Sequence, residues 1–152
     1  MVGLPLWELS TRWRLAALAL SMSSIGFSCS CGACCGKIFA EPQRVSVCYC
    51  MSCRKRTGSV LAAQARFLCS DVSIEGSTHS YRRCSEDGAE IIFDFCPACG
   101  STIKYRHSAL VDQVIIPLGV IDQTELWQPT AAIYNDRRPA WLPHNEHIEW
   151  ID

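Results

Sequence analysis

Cys96-Pro97-Ala98-Cys99-Gly100 is the stretch from which the organisation of this chain can be read. In a Cys-x-x-Cys turn of this composition Pro97 restricts the backbone, and Gly100 leaves amides free to approach the sulfurs. Cys96 and Cys99 therefore point at one place and form half of a tetrahedral zinc site. A half-site needs a partner pair from elsewhere in the chain.

Moving outward, Cys29-Ser30-Cys31-Gly32-Ala33-Cys34-Cys35 offers two such pairs, Cys29/Cys31 and Cys31/Cys34. The second has the more familiar two-residue spacing, and spacing alone does not choose between them. Between the two clusters lies a third, Cys48-Tyr49-Cys50-Met51-Ser52-Cys53. It can bring three thiols to one metal, and three protein ligands with a vacant fourth position is the arrangement of catalytic zinc. The same triplet, closed by a histidine or a further cysteine, makes a purely structural site. The fourth position separates these two readings.

Eleven cysteines in 152 residues is an unusual and odd number. Clustered in paired spacings, they suit thiolate metal sites in a reducing compartment better than a secreted disulfide framework. With 49% hydrophobic residues the chain can bury a core without disulfides. Lys and Arg number 14 against 15 Asp and Glu. The basic runs Arg54-Lys55-Arg56 and Arg137-Arg138 are too short to track a phosphate backbone, which argues against nucleic acid as a partner. Four thiolates on one Zn²⁺ contribute −2 and three on another −1, so the formal −1 becomes about −4 on metal loading.

Near the N-terminus Leu15-Ala16-Ala17-Leu18-Ala19-Leu20 follows Arg12 and Arg14, as in a signal peptide, but the apolar run is short. It falls far below the roughly 20 apolar residues of a membrane span, and Glu8 is out of place in a transit peptide. Residues 1–21 are expected to be a dispensable extension, with Met22 as an alternative start. Residues 22–152 are expected to form a single cytoplasmic domain without a membrane segment.

Beyond Met22 the dominant pattern is period-two alternation with β-branched and aromatic residues. It predicts strands at Arg44–Cys48, Val60–Phe67, Val72–Glu75, His79–Arg83, Glu90–Phe95, Thr102–Tyr105 and Val114–Leu118. Glu86-Asp87-Gly88 supplies a hairpin turn. Helix is expected only as single turns, one around Ser52–Arg56, apart from the helical apolar period of Leu6–Leu20. The fold class is mainly β.

These motifs, in this order and separation, resemble the glutathione-dependent formaldehyde-activating enzyme family, which includes centromere protein V. The resemblance runs from about Cys29 to Trp141 and rests on Cys29-Ser30-Cys31-Gly32-Ala33, Cys48-Tyr49-Cys50-Met51-Ser52-Cys53-Arg54-Lys55, Gly58, and Cys96-Pro97-Ala98-Cys99-Gly100. It implies compact antiparallel sheets of the β-tent type, clamped by a structural zinc on Cys29, Cys31, Cys96 and Cys99. It also implies a second, catalytic zinc on Cys48, Cys50 and Cys53, hence two ions per chain. The implied activity is that of a carbon–sulfur lyase acting on a thiol adduct such as S-hydroxymethylglutathione. The alternative is a non-catalytic zinc module that mediates contacts. Two departures stand out: Cys34-Cys35 occupies a place usual for apolar or basic strand residues, and Ala132-Ile133-Tyr134 replaces a common His-hydrophobic-aromatic triplet.

Arg54 and Lys55 follow the third ligand of the triplet, where they can bind substrate carboxylates or simply offset thiolate charge. His79, His107, His144 and His147 fall outside the metal motifs and receive no catalytic role. Trp141 is a candidate for lining the site, and Cys69 and Cys84 are expected to be small core residues or free thiols.

Overall fold

The computed structural model describes residues 24–143 and 148–151. The apolar Leu6–Leu20 segment, His144 and His147 lie outside them. Eleven strands are present in this part: β1 (Ile25–Ser28), β2 (Cys35–Ile38), β3 (Arg44–Cys48), β4 (Ala62–Leu68), β5 (Val72–Glu75), β6 (His79–Cys84), β7 (Glu90–Phe95), β8 (Thr102–His107), β9 (Gln113–Pro117), β10 (Ala131–Ile133) and β11 (Glu149–Ile151). One short helix, α1 (Met51–Thr57), follows β3. Among the described residues no helix is long and apolar enough to cross a membrane.

The strands form two sheets. The smaller has the order β1-β2-β5, and the larger runs β11-β10-β3-β4-β9-β8-β7-β6. Pairing is antiparallel except that β10 runs parallel to both β3 and β11. The β6–β7 hairpin turns at the expected Glu86-Asp87-Gly88, closed by the Ser85 N–H donating to the Ala89 carbonyl and the Ser85 hydroxyl donating to the Asp87 carboxylate.

Alternation along the central strands explains how the two faces of the large sheet acquire different jobs. On β4, Ala65 and Phe67 are fully buried against the small sheet, beside Phe27, Ile38 and Ile116. Burying a phenylalanine ring such as Phe67 contributes roughly 1.5–3 kcal/mol. The intervening Gln64 and Arg66 point the other way, as do Arg44, Ser46 and Cys48 on β3. A register shift between Asp94 and Phe95, where β7 meets β8, breaks the alternation. Ile103 joins the core between the sheets while Tyr105, two residues on, packs with Phe93 and Ile115 on the opposite face.

Gly76 is where the fold requires glycine most clearly. Its φ of +94° lies in the left-handed region, and a Cβ there would overlap the Ala33 carbonyl and the Cys34 Cα. The close approach seats the end of β5 against the loop that carries the first cysteine cluster.

Candidate metal centres

Cys29 and Cys31 leave the end of β1 in a turn that Gly32 closes with its N–H on the Cys29 carbonyl. Cys96 and Cys99 form the turn between β7 and β8, closed in the same way by the Gly100 N–H on the Cys96 carbonyl. Sheet packing brings the two turns together, and the four sulfurs lie within 4.8 Å of one another. Cys31 Sγ is 3.5 Å from Cys29 Sγ and 3.7 Å from Cys96 Sγ. Four sulfurs bound tetrahedrally at about 2.3 Å would sit about 3.8 Å apart, so the donor set fits zinc in both softness and spacing.

Donors around this cluster favour negative sulfur. The Cys34 N–H donates to Cys29 Sγ at 3.2 Å, the largest influence holding that thiol below its ordinary value. The Ser101 hydroxyl, 3.3 Å from Cys99 Sγ, is the largest of the groups that bring Cys99 down to about 5. For Cys31 the Ala33 N–H pulls downward, but the crowding of Cys29, Cys99 and Cys96 outweighs it and pushes the thiol up to about 12. A cluster that cannot ionise fully by itself is one that a divalent cation completes. Cys34 does not join the four. Its thiol is buried, is raised to about 11 chiefly by that burial, and donates to the Ser77 carbonyl at 3.0 Å.

The second cluster is local. β3 ends at Cys48, the chain turns, and Cys50 caps α1, its sulfur accepting from the Cys53 N–H at 3.4 Å. Gly58, in the left-handed region, ends the helix by donating its N–H to the Arg54 carbonyl. Helical spacing returns Cys53 to the side of Cys50, and all three sulfurs lie within 4.8 Å of one another. All three residues are buried. Hydrogen bonding between Cys48 and Cys53 splits their acidities: it lowers Cys53 to about 6 and raises Cys48. Among the described residues no fourth His, Cys, Asp or Glu ligand atom joins this group.

The three thiols open instead onto a cavity of ≈350 Å³, within the usual range for small-molecule sites. Ile133 and Tyr134 form one wall, placing two members of the departing Ala132-Ile133-Tyr134 triplet directly at the thiols. Ala132 is buried elsewhere, against Val47 and Tyr49. A second wall holds a buried polar chain: the Tyr105 hydroxyl donates to Gln64 Oε1, and Gln64 Nε2 donates to the Ser46 hydroxyl at 3.3 Å. Burial holds the Tyr105 phenol well above its usual range, so it stays a donor.

The cations at the cavity are Arg44, Arg66 and Arg83, which sequence reading missed. Period two along Arg44–Cys48 was the available signal, since it sets Arg44 on the face of Cys48. Arg54 is turned away to the backbone, donating to the Val60 carbonyl at 3.0 Å and the Arg137 carbonyl at 2.6 Å. Lys55 lines an adjoining hollow with Arg56 and Tyr81, which shares Ser52, Arg83 and Phe93 with the cavity. Trp141 is 71% exposed and does not line the cavity. Of the two expectations for Cys69 and Cys84, core residue or free thiol, the second holds: both are free and exposed, Cys69 in the turn after β4 and Cys84 at the end of β6, and neither joins a cluster. His107 stands at the cavity edge with Nδ1 accepting from the Ala109 N–H, and His79 packs edge-on against Phe95.

The model of the family described as glutathione-dependent formaldehyde-activating enzyme matches residues 24–137. No curated protein matches the chain. Among solved structures, a crystal structure of a Rhodobacter sphaeroides protein is similar over 68% of this chain and 96% of that chain, at 20% identity and a TM-score of 0.49. That likeness is too slight to argue from.

Proposed function

The chain belongs to the glutathione-dependent formaldehyde-activating enzyme family, and on that premise we propose that it is a zinc-dependent carbon–sulfur lyase acting on a thiol adduct such as S-hydroxymethylglutathione. One observation carries the reading: three buried thiols converge at a cavity, with no fourth protein ligand atom among the described residues. In this reading Cys48, Cys50 and Cys53 hold a catalytic zinc, and Cys29, Cys31, Cys96 and Cys99 hold a structural one. Bound at the triplet, zinc supplies Lewis acidity that stabilises a substrate sulfur as thiolate or polarises a carbonyl oxygen.

In the cleavage direction the C–S bond of the adduct breaks and its electron pair goes to sulfur. The hydroxyl oxygen gives up its proton as the C=O bond of formaldehyde forms, and the released thiolate takes up a proton in turn. Burial of the three cysteines and the apolar walls of Ile133 and Ile115 limit water at the reacting sulfur. Tyr105 and Gln64, the latter held from behind by Ser46, give the wall fixed dipoles whose orientation is set before substrate arrives.

The same reading makes residues 22–152 the functional unit and the cytoplasm, where thiols stay reduced, its compartment. The test is to measure zinc per chain and then follow formation and cleavage of S-hydroxymethylglutathione by the wild type and by Cys50→Ser. Two zincs per chain with turnover that Cys50→Ser abolishes is the expected result. Two zincs with no activity on any thiol adduct would replace the lyase with a non-catalytic zinc module.

A further inference from the structure

We propose that Arg44 and Arg66 form a carboxylate clamp that selects extended, anionic thiols for the three-thiol cavity, an inference that rests on the thiol-adduct chemistry proposed above. The two residues are direct cross-strand partners on β3 and β4, and both line the cavity that holds Cys48, Cys50 and Cys53. Cα atoms of such partners sit about 4.5–5.5 Å apart, so two guanidinium groups share one small region of the wall. Like charges placed directly opposite destabilise a sheet, and the fold offers no relief from within. Among the described residues neither arginine makes an ion pair.

The missing partner has an address. Arg66 Nε is buried and without a hydrogen-bond acceptor among the described residues, and a buried donor of that kind calls for one. The acids at the same cavity are engaged elsewhere: Glu86 takes a bidentate pair from Arg137 at 2.8 and 2.9 Å, and Asp87 accepts from Ser85 and from the Ala89 N–H. A planar carboxylate matches the forked guanidinium geometry and would satisfy both arginines at once.

Strand geometry also sets the length of the ligand. Arg44 is four residues from Cys48 on one face of β3, and at about 3.3 Å per residue their Cα atoms are about 13 Å apart. The arginine side chains can take up part of that span, and a ligand with sulfur at the thiols and carboxylate at the guanidinium groups must bridge the rest. A peptide-sized thiol bridges such a gap more readily than a two-carbon mercapto acid.

Calorimetric titration of the zinc-loaded protein with glutathione, glutathione diethyl ester, mercaptoacetate and mercaptoethanol tests the clamp. Wild type should bind glutathione about 10–100-fold more tightly than its diester, which keeps the ammonium but has no carboxylate, the range expected when a charged hydrogen-bonding partner is removed. Arg44→Gln and Arg66→Gln should each lose most of that preference with little change toward the diester, and Arg66→Lys should retain part of it. Mercaptoacetate should show no comparable gain over mercaptoethanol. Equal affinity for glutathione and its diester, binding of neither, or a preference that survives both substitutions would overturn the clamp. A gain for mercaptoacetate as large as that for glutathione would overturn it as well, because no span would be needed. Cleavage of S-hydroxymethylglutathione, followed in parallel, keeps the two ideas apart: selectivity without turnover sinks the lyase and leaves the clamp, and turnover without selectivity does the reverse.

Discussion

The four-thiol cluster joins segments as far apart as Cys31 and Cys96, 65 residues along the chain, and leaves Cys31 exposed. The three-thiol cluster draws on one turn of chain from Cys48 to Cys53, and all three residues are buried. Closing a long loop removes far more freedom from the unfolded chain than closing a short one, so the distant ligands are the ones that couple metal to folding. The local triplet gains little in that way, and its burial serves a cavity instead. In the four-thiol cluster Cys31 is exposed and Cys99 partly so, whereas the three thiols at the cavity are all buried.

The largest effect should come from cutting the distant link. Cys99→Ser is expected to remove most of the metal-linked folding energy, of the order of 10 kcal/mol for a structural zinc, and to abolish a cooperative thermal transition. A variant that melts like the wild type would show that the four thiols do not clamp the sheets. Cys50→Ser should separate the two centres: turnover of S-hydroxymethylglutathione falls by about 100-fold or more, while the melting temperature stays within a few degrees. If it unfolds as badly as Cys99→Ser, the contrast between the clusters fails.

Gly76→Ala sharpens the comparison without touching a ligand. Adding a Cβ at φ +94° against the backbone of Ala33 and Cys34 should cost about 2–3 kcal/mol in urea denaturation. Zinc retention should weaken at the four-thiol cluster first. The same loss at both clusters would mean that they are not independent.

The smallest effect concerns the Tyr134 wall of the cavity. Arg137 hydrogen-bonds Glu86 and holds its carboxyl below the usual carboxylate range, stitching the Tyr134 wall to the β6–β7 hairpin. A depressed folded value adds stability that is fully present above the unfolded carboxylate range and is lost as pH falls through the folded one. Glu86→Gln should flatten that acid limb slightly in pH-dependent melting, and an unchanged limb would show that the pair is too exposed to matter.

Much of the fold was legible in the residues. The spans Arg44–Cys48, Val72–Glu75 and Glu90–Phe95 coincide with β3, β5 and β7, because half-buried strands write their two faces as alternation. The strands β1, β2, β10 and β11 were not anticipated. Each has only three or four residues, too few for a period to show, and their pairing comes from neighbours distant in sequence. Arg54 shows what adjacency in sequence does not reveal: next to Cys53 in the chain, it is turned by α1 onto the Val60 and Arg137 carbonyls.

What the sequence determined by itself is the chemistry of its cysteines and the two faces of its central strands, since Cys-x-x-Cys turns and period two are local properties of a chain. Local spacing left open which pair of the first cluster meets Cys96 and Cys99; the family resemblance implied Cys29 and Cys31, and the tertiary structure brings those two to them. It also decided that Cys34 stays apart, and that Arg44, Arg66 and Tyr105 surround the thiols. Those outcomes depend on strand order and on the register shift between β7 and β8, which are set by packing between segments far apart in sequence.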